Sequence, residues 1–215
     1  MISIGQHHIL KIAKDLDFGL ILTDEEENEV LLPRKYIRAG YEVGEELTVF
    51  VYKDNEGRPI ATSLEPEIKL NDFAALRVRD VTEHGAFMDW GVEKDLFIPF
   101  REQAQPLQPG KNYLVYMYLD EVSERLVGST KIGRFLENDH LRVAEGDEVE
   151  LLLWQETDLG VNVIVDRIHK GLIYQDNFHD SFYPGKVMKG YVKKIRPGNK
   201  LDISLEKFGY EKVEP

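Results

Sequence analysis

Short runs of alternating apolar and polar residues, separated by charged or glycine-containing turns, recur along the whole chain, and nowhere do eighteen apolar residues follow one another. Runs of this length and period predict β-strands, and the absence of a long apolar segment predicts no membrane association. The runs also repeat. Gly19, Gly85 and Gly160 lie 66 and then 75 residues apart, and the same two intervals separate Gly44, Gly110 and Gly185, and again Ser63, Ser129 and Ser204. Three sets of landmarks in one register define a unit present in three copies.

In each copy a strand-like run (8–14, 75–81, 149–154) leads to the first glycine, where a second strand begins (19–22, 85–88, 160–163). A charged hairpin separates it from a third (30–33, 96–99, 172–174). After a longer link and the second glycine come a fourth (47–52, 113–118, 187–193) and a fifth (60–64, 126–129, 201–205). Five short strands with the longest link between the third and fourth fit a Greek-key barrel of the OB type, with a string of SH3-like barrels as the alternative. The fold class expected is therefore all-β, with three tandem five-stranded OB-fold barrels over 1–66, 67–133 and 146–215 and a spacer over 134–145. The spacer, with Glu137-Asn138-Asp139-His140, accounts for the longer second interval as a short helix or a linker. The first glycine of each copy suits a strand that bends as the barrel turns a corner.

Charge changes the picture. The chain carries 27 Lys and Arg against 39 Asp and Glu, a net charge of -12, which tells against broad charge-driven binding to nucleic acid unless basic residues cluster. One cluster exists: residues 183–207 hold seven basic and two acidic side chains. Lys189 and Lys193 are four apart and share a face on a regular strand, with Lys194 on the other. The acidic run Asp24-Glu25-Glu26-Glu27-Asn28-Glu29 lacks the spacing of a calcium loop and reads as solubilising charge at a hairpin tip.

Catalytic chemistry has no anchor. With no cysteine, thiolate metal sites, disulfides and cysteine nucleophiles are excluded, and a reducing, cytoplasmic setting is expected, as is the lack of a secretory leader. Residues 128–133 have two glycines at phosphate-loop spacing, but Arg134-Phe135 follow where Lys-Ser or Lys-Thr is required. No cofactor and no metal are expected, and the chain reads as a non-enzyme.

The runs His84-Gly85-Ala86-Phe87-Met88-Asp89 and Asp95-Leu96-Phe97-Ile98-Pro99-Phe100, with Tyr118-Leu119-Asp120 and Arg125-Leu126-Val127, resemble the S1-like RNA-binding domain. The three-copy arrangement, with Pro99-Phe100 where most such domains have Ile-Ser, is similar to the bacterial conserved virulence factor B family. Members of that family usually continue into a C-terminal winged helix, and this chain ends about where that element would begin.

What the resemblance implies is a face that binds single-stranded RNA. Such domains use two aromatics around the second-strand glycine, a residue on the third strand, and an Asp and an Arg at the turn between strands four and five; rings stack on unpaired bases while cations hold phosphates. In the first copy this maps to Phe18, Asp54 and Arg58, with Ile21 and Leu32 at the second aromatic and third-strand positions. The middle copy supplies His84, Phe87, Asp120 and Arg125, with Ile98 on the third strand. The third supplies Tyr174 on the third strand and Lys200 at the basic position, beside the cluster with Lys189 and Lys193, while Leu159, Asn162 and Arg196 depart from the pattern. Alternation leaves Phe87 on either face of its strand, and Tyr52, Tyr113, Tyr116, Tyr118, Trp90 and Trp154 read as packing residues. Post-transcriptional control is the expected role. The rival reading is a protein-interaction scaffold whose degenerate barrels dock a basic partner such as a component of the ribosome or RNA polymerase.

Overall fold

The structure, a computed structural model, describes residues 1–207; the end of the third expected unit, 208–215, lies outside the described residues. Among the described residues every regular element is a strand or a single 3-10 turn, and no helix is long and apolar enough to cross a membrane. The first five strands are β1 (Gln6–Leu16), β2 (Gly19–Thr23), β3 (Glu29–Pro33), β4 (Glu46–Lys53) and β5 (Pro59–Thr62). They form a closed barrel in the order β1-β2-β3-β5-β4, with β3 parallel to β5 and the other pairs antiparallel. The third set repeats that order in a second closed barrel: β11 (Glu148–Thr157), β12 (Gly160–Val165), β13 (His169–Tyr174), β14 (Val187–Arg196) and β15 (Lys200–Ser204).

The middle set is β6 (Phe73–Thr82), β7 (Gly85–Asp89), β8 (Leu96–Pro99), β9 (Asn112–Asp120) and β10 (Arg125–Ser129), in the order β10-β9-β6-β7-β8. Its two edge strands approach each other: a Cβ on Gly128 would lie 2.9 Å from the Ile98 side chain, so bare glycine lets β10 close against β8. The all-β arrangement of three five-stranded OB-like barrels is thus present. The chain divides into two compact units, Met1–Lys111 with Val115–Thr130, and Asn112–Leu114 with Lys131–Pro215.

The repeated landmarks have repeated physical jobs. The N–H groups of Gly44, Gly110 and Gly185 donate to the carbonyls of Ile12, Val78 and Leu153 at 2.9, 2.8 and 2.8 Å, tying the end of each long link to the first strand of its barrel. One residue beyond each of those carbonyls the first strand bulges, between Ile12 and Lys14, Val78 and Asp80, and Leu153 and Gln155, where barrel curvature needs a sharper twist. At Gly160 the backbone adopts φ +145° and a Cβ would sit 2.0 Å from the Ile173 carbonyl oxygen, so no other residue fits. The serines are less uniform. Ser63 and Ser129 donate to the carbonyls of Tyr36 and Glu102 in the 3-10 turn after the third strand, whereas Ser204 donates to Glu206.

Alternation builds each core. In β2 and β7, Leu20, Leu22, Ala86 and Met88 point inward and are buried, while Ile21, Thr23, Phe87 and Asp89 face outward and are half-buried. On β4 both faces are buried: Val49 and Val51 fill the first barrel, and Phe50 and Tyr52 meet Trp90 of the middle barrel edge-on, at centroid distances of 5.7 and 6.1 Å. The Trp90 indole is 2% exposed and its N–H donates to the Lys94 carbonyl, so the ring is buried with its polar atom satisfied. Around it, the Glu67 N–H donates to the Trp90 carbonyl at 2.8 Å, the Leu70 N–H to the Gly5 carbonyl at 2.8 Å, and the Tyr36 hydroxyl to Glu93 at 2.8 Å, where Lys35 also pairs. The first and middle barrels are therefore fastened together by a small apolar core with a hydrogen-bonded rim. Trp90→Ala is expected to lower the stability of this unit by about 3–5 kcal/mol, read as a lower urea midpoint by far-UV circular dichroism, with Trp90→Phe costing much less.

Candidate nucleic-acid interface

In each barrel the second and third strands present an outward-facing pair two positions along from the landmark glycine: Ile21 opposite Leu31, Phe87 opposite Phe97, and Asn162 opposite Leu172. The middle pair is aromatic. The rings of Phe87 and Phe97 lie 5.2 Å apart at 36°, both half-buried on the outer face. Phe97 reaches across Gly85, where a Cβ would meet its ring edge at 2.9 Å, so the glycine is what allows the ring to lie against the sheet. His84, 75% exposed in its side chain, precedes that glycine in the turn from β6. His84, Gly85, Phe87 and Phe97 thus come together as an exposed aromatic platform. Two residues further along the same strands, Arg79 forks between Asp89 and Asp95 at 2.9 Å each, and burial raises the Asp95 carboxyl above its ordinary range. The platform thus ends in an ion-paired group with one more carboxylate than cation, the end from which a phosphate is repelled.

Phe97 was missed in the sequence because the resemblance directed attention to Ile98. Ile98 is fully buried, as is Leu32, so the third-strand position read there faces the barrel core. Alternation with the buried Leu96 and Ile98 is the signal that places Phe97 outside. The register also corrects the alignment of Tyr174. It pairs with Gly160 as Pro33 pairs with Gly19 and Pro99 with Gly85, so Tyr174 matches the prolines that close the third strand, and Ile173 matches Leu32 and Ile98.

The first barrel offers Phe18, 61% exposed beside Gly19, but its outward pair is aliphatic. Arg58 is held within its own hairpin, 2.8 Å from Asp54 and 2.9 Å from Glu56. In the middle barrel, Asp120 and Arg125 are cross-strand partners at the base of the β9–β10 hairpin, and Asp120 accepts from the Ser123 hydroxyl at 2.6 Å, which lowers its carboxyl pKa.

In the third barrel the charge cluster is distributed differently from the regular-strand expectation. A bulge between Val192 and Lys194 makes Lys193 the extra residue of β14: alternation with the buried Gly190 and Val192 keeps Lys189 and Lys193 on the outer side, and the exposed Lys194 does not turn to the other face, as regular alternation would have it. Lys189 pairs with Glu148 at 2.8 Å, Lys186 with Asp180 at 2.7 Å and Arg196 with Asp202 at 2.9 Å. Lys200, by contrast, lines a cleft of about 780 Å³ over β12, β13 and the β14–β15 turn, together with Leu159, Asn162, Lys170, Leu172 and Asn199. Tyr174, Lys189 and Lys193 are not among its lining residues.

One wall of that cleft is the spacer, which folds onto the barrel rather than hanging between units. The Asn138 amide donates to the carbonyls of Lys170 at 3.0 Å and Asn199 at 2.9 Å and accepts from the Lys170 N–H at 2.7 Å. His169 is fully buried beneath it; its Nε2 accepts from the Arg142 N–H at 3.1 Å, leaving Nδ1 protonated to donate to the Glu137 carbonyl. Over the cleft rim, the Lys170 ammonium sits 5.4 Å from the centre of the Trp154 ring.

Comparison with known proteins bears on the first barrel and on the fold. Residues 4–64, the first barrel, match a family model described as the S1 domain. An uncharacterized protein of Bacillus subtilis (strain 168), YitL, is 35% identical over 95 residues, covering 44% of this chain and 32% of that protein, so the match spans about a third of the relative's length. A multidomain protein with nucleic acid binding domains from Streptococcus pneumoniae TIGR4 has a solved structure that covers 98% of this chain and 76% of its own, with a TM-score of 0.53 at 17% identity; the likeness is one of fold.

Removing the buried imidazole leaves the Arg142 N–H and the Glu137 carbonyl without their partner. His169→Ala is expected to destabilise the third barrel by roughly 2–4 kcal/mol, measured by urea unfolding, and to speed amide hydrogen exchange at Arg142.

Proposed function

We propose that this chain is a non-catalytic binder of single-stranded RNA that uses the outer faces of the second and third strands of tandem S1-like barrels. The observation that carries the proposal is the Phe87–Phe97 pair laid across Gly85. Two half-exposed rings beside a bare glycine form a surface on which an unpaired base stacks, a contact worth roughly 1–3 kcal/mol per base and tolerant of sequence. His84 and Phe18 extend that chemistry, and Lys170 and Lys200 in the third barrel's cleft, with Arg58, Arg125, Lys189 and Lys193, supply cations for the backbone. The S1-domain match of the first barrel supports the reading. Linking several weak sites raises the effective concentration of each after the first has bound, which offsets the acidic net charge.

Two finer assignments rest on the resemblance in sequence, membership of the conserved virulence factor B family and a role in post-transcriptional control of gene expression, while a cytoplasmic location rests on the cysteine-free composition. The net charge of -12 favours a second reading, a scaffold whose acidic surface docks a basic component of the translation or transcription machinery.

Fluorescence anisotropy with a labelled mixed-sequence 12-nucleotide RNA and the matched duplex separates the two. Saturable binding that prefers the single strand is expected. Phe97→Ala and Phe87→Ala are each expected to weaken it about tenfold, equivalent to ~1.4 kcal/mol, with the far-UV spectrum retained because both rings lie outside the core. No binding at low salt leaves the scaffold reading.

A further inference from the structure

The two barrels of the first unit exchange lysines across their junction. Lys53, at the end of β4, reaches out of the first barrel and donates to the Glu124 carbonyl at 2.7 Å, in the β9–β10 hairpin of the middle barrel. Lys94, in the β7–β8 loop of the middle barrel, reaches the other way and donates to the Asp54 carbonyl at 2.9 Å, in the β4–β5 hairpin. Asp54 is the chain neighbour of Lys53, and Arg125 is the chain neighbour of Glu124. The reciprocal reach therefore gathers Lys53, Lys94 and Arg125 at one place, two of them held by backbone carbonyls.

Carboxylates offset the charge of the group only in part. Asp54 takes the Arg58 guanidinium at 2.8 Å, and Glu56 takes it at 2.9 Å. Asp120 is engaged by Ser123 and lies 3.9 Å from Arg101. Glu124 forms an ion pair with Lys53 at 3.8 Å, too long for a hydrogen bond, and with its side chain 80% exposed the pair is screened by solvent. Among the described residues no carboxylate pairs with Lys94 or Arg125. Burial, then the nearby Arg125 and Lys53 charges, lower the Lys94 ammonium pKa, while Asp54 opposes the shift. A chain with 39 acidic residues that leaves these three cations together holds them at an electrostatic cost which a bound anion relieves.

We propose that Lys53, Lys94 and Arg125 form a composite phosphate site at the junction of the first two barrels, which grips the backbone of a single RNA strand as it passes from one barrel to the next. The site deepens the RNA-binding reading and rests on it for the source of the phosphate. It exists only because the barrels are docked: neither barrel alone holds more than two of the three cations. The Trp90 core thus has a functional consequence, the placement of charges from separate barrels on one anion.

The test compares the intact chain with Arg125→Gln, whose exposed side chain anchors nothing, and Lys53→Gln, with Lys111→Gln, at the opposite end of β9, as the control. For each, binding of the single-stranded 12-nucleotide RNA is followed by anisotropy from low to near-physiological salt. Arg125→Gln and Lys53→Gln are each expected to reduce the steepness of log K against log salt by about 0.7, one phosphate contact on a single strand, while Lys111→Gln leaves it unchanged. RNA binding by the wild type with the same slope in Arg125→Gln as in Lys111→Gln overturns the junction site and leaves the RNA-binding reading standing. If the wild type binds no RNA, that reading fails, and tripolyphosphate decides for the site alone: a rise in Tm that Arg125→Gln loses upholds it, and no rise overturns it.

Discussion

The indole of Trp90 is enclosed by Phe50 and Tyr52 of the neighbouring barrel, and the mutual placement of the first two barrels depends on that enclosure. Small barrels joined by a few residues ordinarily move independently, because an interface of a few side chains seldom repays the order it imposes. Here the contact is aromatic and dry at its centre. Its rim is supplied by backbone hydrogen bonds through Gly5, Glu67 and Leu70 and by the Lys35–Tyr36–Glu93 group. Burial on both faces is the reason β4 carries four consecutive buried residues, Val49 to Tyr52, where a barrel strand facing water would alternate.

On this fixed pair of barrels, one geometric device recurs with different side chains. A glycine at the start of the second strand removes the Cβ that would strike the carbonyl opposite, and the third strand's outward residue lies across the gap as Leu31 in the first copy and Phe97 in the middle one. The same backbone therefore yields an aliphatic patch and an aromatic platform. In the third copy the opposing pair is Asn162 and Leu172, and there the folded-down spacer adds a wall and makes a cleft. The three faces thus differ in chemistry: aliphatic in the first barrel, aromatic in the middle one, and lined by asparagines and lysines in the third.

The fold was legible because it repeats. A landmark glycine that must donate to the first strand, and another that cannot carry a Cβ, recur at fixed intervals whatever the intervening sequence, so the three-barrel pattern stood out despite little likeness between copies. The site was legible only in part, and the misses share a cause: periodicity locates a strand but not its bulges or its exact end. A bulge between Val192 and Lys194 leaves Lys194 exposed beside Lys193 instead of on the opposite face, and a one-residue offset made Tyr174 the counterpart of Leu32 and Ile98. Asn138 gave no sign of its role, since its clamp on Lys170 and Asn199 joins residues 32 and 61 positions away. Lys53 and Lys94 were hidden for the same reason, as their convergence depends on how two barrels dock.

The central claim is that an RNA strand lies on the outer face around Gly85. Amide chemical-shift mapping of the intact chain with a single-stranded 12-nucleotide RNA tests it most directly. The account predicts saturable perturbations concentrated at His84 to Phe87, at Leu96 to Ile98 and at the junction residues Lys94 and Arg125. Perturbations confined to other faces, with the Phe87–Phe97 strands unchanged at saturation, would contradict it.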